Sequence, residues 1–236
     1  MAATALSIAF DADDTLWHNQ PIFERSYEKF RSLLSRFHEP TAASDTLIRN
    51  EMRNFDLYGY GIKGFTLSAI ETAIQLSDGA ISADEIRQLL DAAKEMLAHP
   101  VELIEGVEEV LKQLSADHRL LVVTKGDLRD QERKLEQSGL LGYFQQIEIV
   151  SEKDVASYRR ICERHEIDPA QFLMVGNSLK SDILPVLELG GRGVHIPYHI
   201  TWAAEQVDEP AAVPGRLFKI AEMHELPKLV QLLTTA

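Results

Sequence analysis

The chain has 236 residues, 45% of them hydrophobic, enough to fill one large domain or a domain carrying an inserted smaller one. Against 24 Lys and Arg it carries 37 Asp and Glu, a formal charge of −13. With no local basic patch to offset that field, nucleic acid and anionic membrane are excluded as expected partners, and an anionic ligand needs positive charge gathered at one spot by lysines or a metal ion.

The opening run Leu6 to Phe10 is apolar and stops at Asp11-Ala12-Asp13-Asp14-Thr15, the pattern of a buried strand that delivers carboxylates at its carboxyl end. The run is too short, and lacks the basic flank, for a signal peptide, and no stretch approaches a membrane span, so a cytoplasmic protein is expected. From about 20 to 100 four amphipathic helical stretches follow, near 22–38, 43–58, 64–78 and 82–98. Past Pro100 strand and helix alternate, with apolar runs at 120–124, 146–150, 172–176 and 193–197, a late strand near 216–219 and a terminal helix from about 224. This rhythm predicts an α/β fold with a doubly wound, mainly parallel sheet. The sheet is split in sequence, which assigns 1–16 and 101–236 to the α/β core and 17–100 to an inserted all-helical domain. The one cysteine, Cys162, falls in a helical pattern and reads as an ordinary partly buried thiol in a reducing compartment.

In open α/β sheets ligands bind beyond the carboxyl ends of the strands, so the polar residues that end each run should converge. Those residues are Asp11, Asp13, Asp14 and Thr15; Thr124, Lys125 and Gly126; Lys153; and Gly176, Asn177, Ser178 and Asp182. Asp11 and Asp13, two residues apart, can face one bound group, and two anions so close call for a cation. Magnesium held by Asp11, the region of Asp13 and Asp182 would meet that need. With the metal and Lys153 neutralising both reactants, Asp11 becomes usable as a nucleophile toward a phosphoryl group. If Asp13 meets the metal only through its backbone carbonyl, its side chain can protonate the leaving alcohol and then deprotonate the hydrolytic water. Thr124 and the amides around Lys125 and Gly126 are placed to bond phosphoryl oxygens, and Lys125 is a second candidate for the phosphate-facing amine beside Lys153.

The four strand ends in order, Asp-Ala-Asp-Asp-Thr-Leu, Thr124, Lys153 and Gly-Asn-Ser-Leu-Lys-Ser-Asp-Ile, resemble the four motifs of haloacid-dehalogenase-superfamily hydrolases over the whole chain. The resemblance implies a helical cap between the first and second motifs, an Asp11 nucleophile, an Asp13 acid/base, phosphate held by Thr124 and Lys153, and magnesium bound at the fourth motif. Many members carry Gly-Asp-Ser where this chain has Gly-Asn-Ser, so Asn177 would offer an amide oxygen to the metal alongside Asp182. In capped members the loop between cap helices closes over the leaving group, which makes Tyr60 and Lys63, in the glycine-broken stretch 58–65, candidates for substrate specificity.

The expected activity is magnesium-dependent hydrolysis of a small phosphorylated metabolite through an aspartyl-phosphate. The competing readings are a phosphotransferase or mutase, which shares every motif; a haloacid dehalogenase, which needs neither magnesium nor a second acid at position 13 and against which Asp13 and Asp182 argue; and a binding protein whose chemistry lapsed through Asn177. His195, His199 and Trp202 lie close in sequence but lack a third ligand at suggestive spacing, so structural histidines are expected there and not a transition-metal site. The oligomeric state is not encoded in any of these motifs.

Overall fold

The computed structural model describes residues 5–235; residues 1–4 and 236, which the sequence places at the ends of the α/β core, lie outside the described residues. By their contacts the residues fall into two units. Among the described residues, one holds 5–18, 101–125 and 132–235, the other 19–100 with 126–131.

The first unit is built on a six-stranded, wholly parallel sheet in the order β3-β2-β1-β4-β5-β6. Its strands are β1 (Ser7–Phe10), β2 (Arg119–Lys125), β3 (Gln146–Val150), β4 (Phe172–Gly176), β5 (Arg192–His195) and β6 (Leu217–Lys219). The central strands are buried on both faces, which is why they read as continuous apolar runs. Alternate side chains divide between two cores. Ile8, Phe10, Leu120, Val122, Leu173 and Val175 pack with α5 (Val107–Leu114) and α9 (Leu226–Thr235) on one face. Ala9, Leu121, Val123, Phe172 and Met174 pack with α7 (Val155–Arg164) and α8 (Leu184–Leu189) on the other. The remaining crossover helix, α6 (Leu128–Ser138), follows β2.

The chain runs outward from β1 to β2 and β3 on one side, then returns to lay β4, β5 and β6 on the other. The topological switch point therefore lies between β1 and β4, where the crevice of a doubly wound sheet forms.

The second unit contains α1 (Gln20–Leu34), α2 (Pro40–Tyr58), α3 (Ile62–Leu76) and α4 (Ala83–Ala98), as the periodicity of the sequence predicts. They bury a core of their own around Phe30, Leu34, Leu47, Phe65, Ala73 and Met96. Residues 126–131 group here although the sequence reading assigns them to the sheet domain. Asp127 accepts both oxygens' worth of hydrogen bonds from the Lys63 ammonium at 2.9 and 3.0 Å, and this pairing leaves no trace in local sequence.

Between α2 and α3 runs a polar seam. Asn50 Nδ2 donates to Thr72 Oγ1 and Gln75 Oε1, each at 2.9 Å, and Asn54 Nδ2 donates to Ser68 Oγ at 3.1 Å and Glu71 Oε2 at 2.7 Å. Glu51, 6% exposed, accepts a 2.7 Å bond from the Tyr27 hydroxyl. Burial pushes its carboxyl up to about 7 from 4.5, with the Tyr27 bond opposing in part. Because the folded value lies above the unfolded one, the contribution of Glu51 to stability is greatest below pH 4.5 and is lost as pH rises through 7. Glu51→Gln, which keeps an acceptor for Tyr27 without the charge, is expected to stabilise the protein by roughly 2–3 kcal/mol at pH 8 and to change little at pH 4.5. Thermal denaturation at the two pH values checks this.

Candidate active site

Asp11 directly follows β1, and its amide donates to the Val175 carbonyl of β4 at 2.9 Å, so the first carboxylate is fixed at the switch point by backbone hydrogen bonding to the neighbouring strand. Beyond β4 the chain enters a π-helical turn, Leu179–Ile183, capped by the Ser178 hydroxyl, which accepts from the Ser181 amide at 3.0 Å. The turn carries Asp182 back over the strand end. Asp182 Oδ2 accepts from the Ser178 amide at 2.9 Å, and a Cβ built on Gly176 would overlap the Asp182 carboxyl group. Only glycine lets the carboxylate approach this closely.

Lys153, 4% exposed, comes from the segment between β3 and α7 and lies between the two carboxylates. Its ammonium donates to Asp11 Oδ1 and, at 2.7 Å, to Asp182 Oδ1. Burial opposes the charge on Lys153, but Asp11 and Asp182 together hold its pKa above the ordinary lysine value. Asp11 is displaced in the other direction: burial, helped by Asp182 and Asp13 and opposed by Lys153, pushes it up to about 7. Two buried carboxylates thus share one ammonium, and the pair is short of positive charge.

Thr15 links the first and fourth motifs. Its Oγ1 lies 3.0 Å from Asp11 Oδ2 and 3.3 Å from Asn177 Oδ1, and it accepts from the Asn177 amide at 3.1 Å. His195, at the end of β5, holds the same turn, its Nε2 meeting the Asn177 carbonyl at 3.0 Å, while burial keeps its pKa below the usual histidine value. Asp11, Asp182 and Asn177 offer side-chain oxygens and the chain at Asp13 offers a carbonyl. Among the described residues no group of three His, Cys, Asp or Glu side chains forms a metal cage. One or two carboxylates completed by water is the donor set a hard, small divalent cation takes, so these residues fit one.

Asp13 is gripped by two groups that the motif reading missed. Trp17 Nε1 donates to its Oδ1 at 2.7 Å, and Lys134 Nζ reaches Oδ1 at 2.9 Å and Oδ2 at 3.2 Å. Lys134 sits on α6, whose inward positions are Asp130, Gln131, Lys134 and Leu135. A lysine at a core-facing position of a helix beside Leu135 is the one signal in the sequence that could have pointed to it.

The remaining candidates come from the end of β2 and from the helical unit. Thr124 is buried at the end of β2, paired in register with Ile149. Lys125 turns to Glu205 Oε1 at 2.6 Å and Ser181 Oγ at 2.9 Å. Glu205, which sequence reasoning did not single out, also accepts from the Ser178 hydroxyl. Burial works against its charge, but Lys125, Ser178 and Ser181 hold its carboxyl below the usual range. Gly126, Tyr60 and Lys63 belong to the helical unit, where Tyr60 stacks on Phe55 with ring centroids 4.6 Å apart and Lys63 pairs with Asp127.

The haloacid dehalogenase-like hydrolase family model matches residues 7–190, from β1 to the end of α8. The chain belongs to this family. N-acylneuraminate-9-phosphatase of Rattus norvegicus is 27% identical to this hydrolase over 240 residues, spanning 95% of this chain and 93% of its own. A haloacid dehalogenase-like hydrolase of Xanthomonas campestris, known from its crystal structure, is 38% identical with a TM-score of 0.88, covering 99% of this chain and 94% of its own. A hydrolase of Bacillus subtilis crystallised with magnesium shares the fold at 18% identity, with a TM-score of 0.66 over 96% of this chain and 98% of its own.

Because the Asp182 carboxyl occupies the space beside Gly176, Gly176→Ala must displace it and with it a partner of Lys153. The expected result is a melting temperature lower by roughly 4–10 °C, read by calorimetry.

Proposed function

We propose that this hydrolase is a magnesium-dependent phosphatase that cleaves a small phosphorylated metabolite through an aspartyl-phosphate on Asp11. The observation that carries the reading is the buried Lys153 ammonium on Asp11 and Asp182, with a third carboxylate, Asp13, two residues from the first. Asp11, Asp182, Asn177 and the Asp13 carbonyl would hold Mg2+, which when bound neutralises charge on the phosphoryl group and on Asp11.

In the first half-reaction an Asp11 carboxylate oxygen attacks phosphorus and the bond to the ester oxygen breaks. The departing oxygen takes a proton from the Asp13 carboxyl. In the second, water attacks phosphorus of the acyl phosphate and gives its proton to Asp13, releasing phosphate and restoring both aspartates. Lys153 steadies the negative charge through both steps, and Thr124 at the end of β2 donates to a phosphoryl oxygen. A dehalogenase would attack carbon and needs no proton donor for a halide, so the buried support given to Asp13 favours phosphate chemistry. The rat relative supports a phosphorylated sugar acid as the substrate class, with Tyr60 and Lys63 as the specificity candidates.

Hydrolysis of an aryl phosphate should depend on magnesium and fall below about one per cent in Asp11→Asn with the melting temperature preserved. Asn177→Asp should lower the magnesium concentration for half-maximal rate, since a carboxylate replaces an amide oxygen. Turnover that persists in Asp11→Asn, or without magnesium, removes the reading.

A further inference from the structure

Lys134 is 7% exposed, and a buried ammonium costs several kcal/mol unless a counter-charge meets it. The carboxylate that meets it is Asp13, at 2.9 and 3.2 Å. Trp17, 1% exposed, spends its indole N–H on the same carboxylate. Trp17 is itself locked: its backbone bridges to Asp13 on one side and to Leu103 on the other, and its ring lies in the core beneath the sheet's first face. Two buried donors from different parts of the chain therefore converge on a short side chain. Asp11 and Asp182 are held by other groups: Lys153 and Thr15 on Asp11, Lys153 and the Ser178 amide on Asp182.

We propose that Lys134, with Trp17, is a positioning residue for the acid/base step, fixing the Asp13 carboxyl so that it presents a proton to the leaving oxygen. The inference rests on the phosphatase reading above and adds a residue that reading does not use. A proton donor that must deliver along one line loses rate steeply when it can rotate away, and two donors on one carboxyl remove that freedom. Lys153 carries the corresponding task for the nucleophile. The site thus has two ammonium groups with separate roles, one serving Asp11 and one serving Asp13.

The test separates protonation of the leaving group from attack on phosphorus. With enzyme in excess and magnesium present, the single-turnover release of phenol from phenyl phosphate needs a proton, whereas release of dinitrophenolate from dinitrophenyl phosphate does not. Lys134→Met is expected to slow phenol release by about 30- to 100-fold and dinitrophenolate release by less than about threefold. Lys134→Arg, which keeps the charge, should recover phenol release to within about fivefold of the native rate. Trp17→Phe removes the second donor, keeps most of the ring volume and should show the same split at about 3- to 10-fold, which secures the test should Lys134→Met fold poorly. In an Asp13→Asn background Lys134→Met should add less than about twofold, because the residue acts through Asp13.

Equal losses on both esters, or undiminished phenol release in both Lys134→Met and Trp17→Phe, overturn the assignment while leaving the phosphatase reading intact. A native protein that releases neither phenol overturns the phosphatase reading, and this inference with it.

Discussion

Lys153 places one positive charge between two carboxylates that are almost wholly withdrawn from water. The rest of the site answers to that constraint. An ammonium cannot be buried alone, and two carboxylates cannot be buried beside it without further compensation, so the surrounding elements must supply donors. Thr15 gives a hydroxyl to Asp11, and the Ser178 amide gives its N–H to Asp182. The π-helical turn after β4 and the absence of a side chain at Gly176 let Asp182 reach its place. Even so, burial raises the Asp11 carboxyl toward neutrality, which marks the group as one that gains from further positive charge.

This cluster lies where the sheet's topology puts it. β1 and β4 are neighbours although a helical unit and two further strands separate them in the chain, and the Asp11 amide is bonded to the last residues of β4. Parallel pairing aligns all the carboxyl ends on one edge, so residues distant in sequence meet without any loop having to reach across the sheet. Asp13 and its two donors form a second, adjoining arrangement with the same logic: a charged group on a crossover helix and an indole from the turn after β1 hold a carboxylate that would otherwise rotate. Glu205 and Lys125 form a third, tying the segment after β5 to the ends of β2 and β4.

Much of this is legible in the chain itself. The sheet's strands appear as apolar runs because both their faces are covered, and the four helices of the second unit appear as amphipathic stretches because each has one covered face. The carboxylates, threonine and lysine that end the runs are visible because strand ends are where such groups accumulate in this architecture. What the runs do not disclose is which polar residue pairs with which. Lys153, after β3, is the favoured amine for the phosphate and Lys125, at the end of β2, the second candidate; in the fold one turns to Asp11 and the other to Glu205. Lys134 carries no motif at all, being the one lysine, with two arginines, in a strongly charged helix.

Periodicity and the order of the strand-end residues, both local properties of the chain, determine an α/β sheet interrupted by a helical block and single out Asp11, Asp13, Lys153 and Asp182 as its candidate chemical groups. The tertiary structure alone decides the partnerships: Lys153 with Asp11 and Asp182, Lys134 and Trp17 with Asp13, Lys125 with Glu205, Lys63 with Asp127. The reason is physical. An apolar residue announces its burial by its neighbours in sequence, whereas a buried charge is made tolerable by a counter-charge that folding brings from anywhere in the chain.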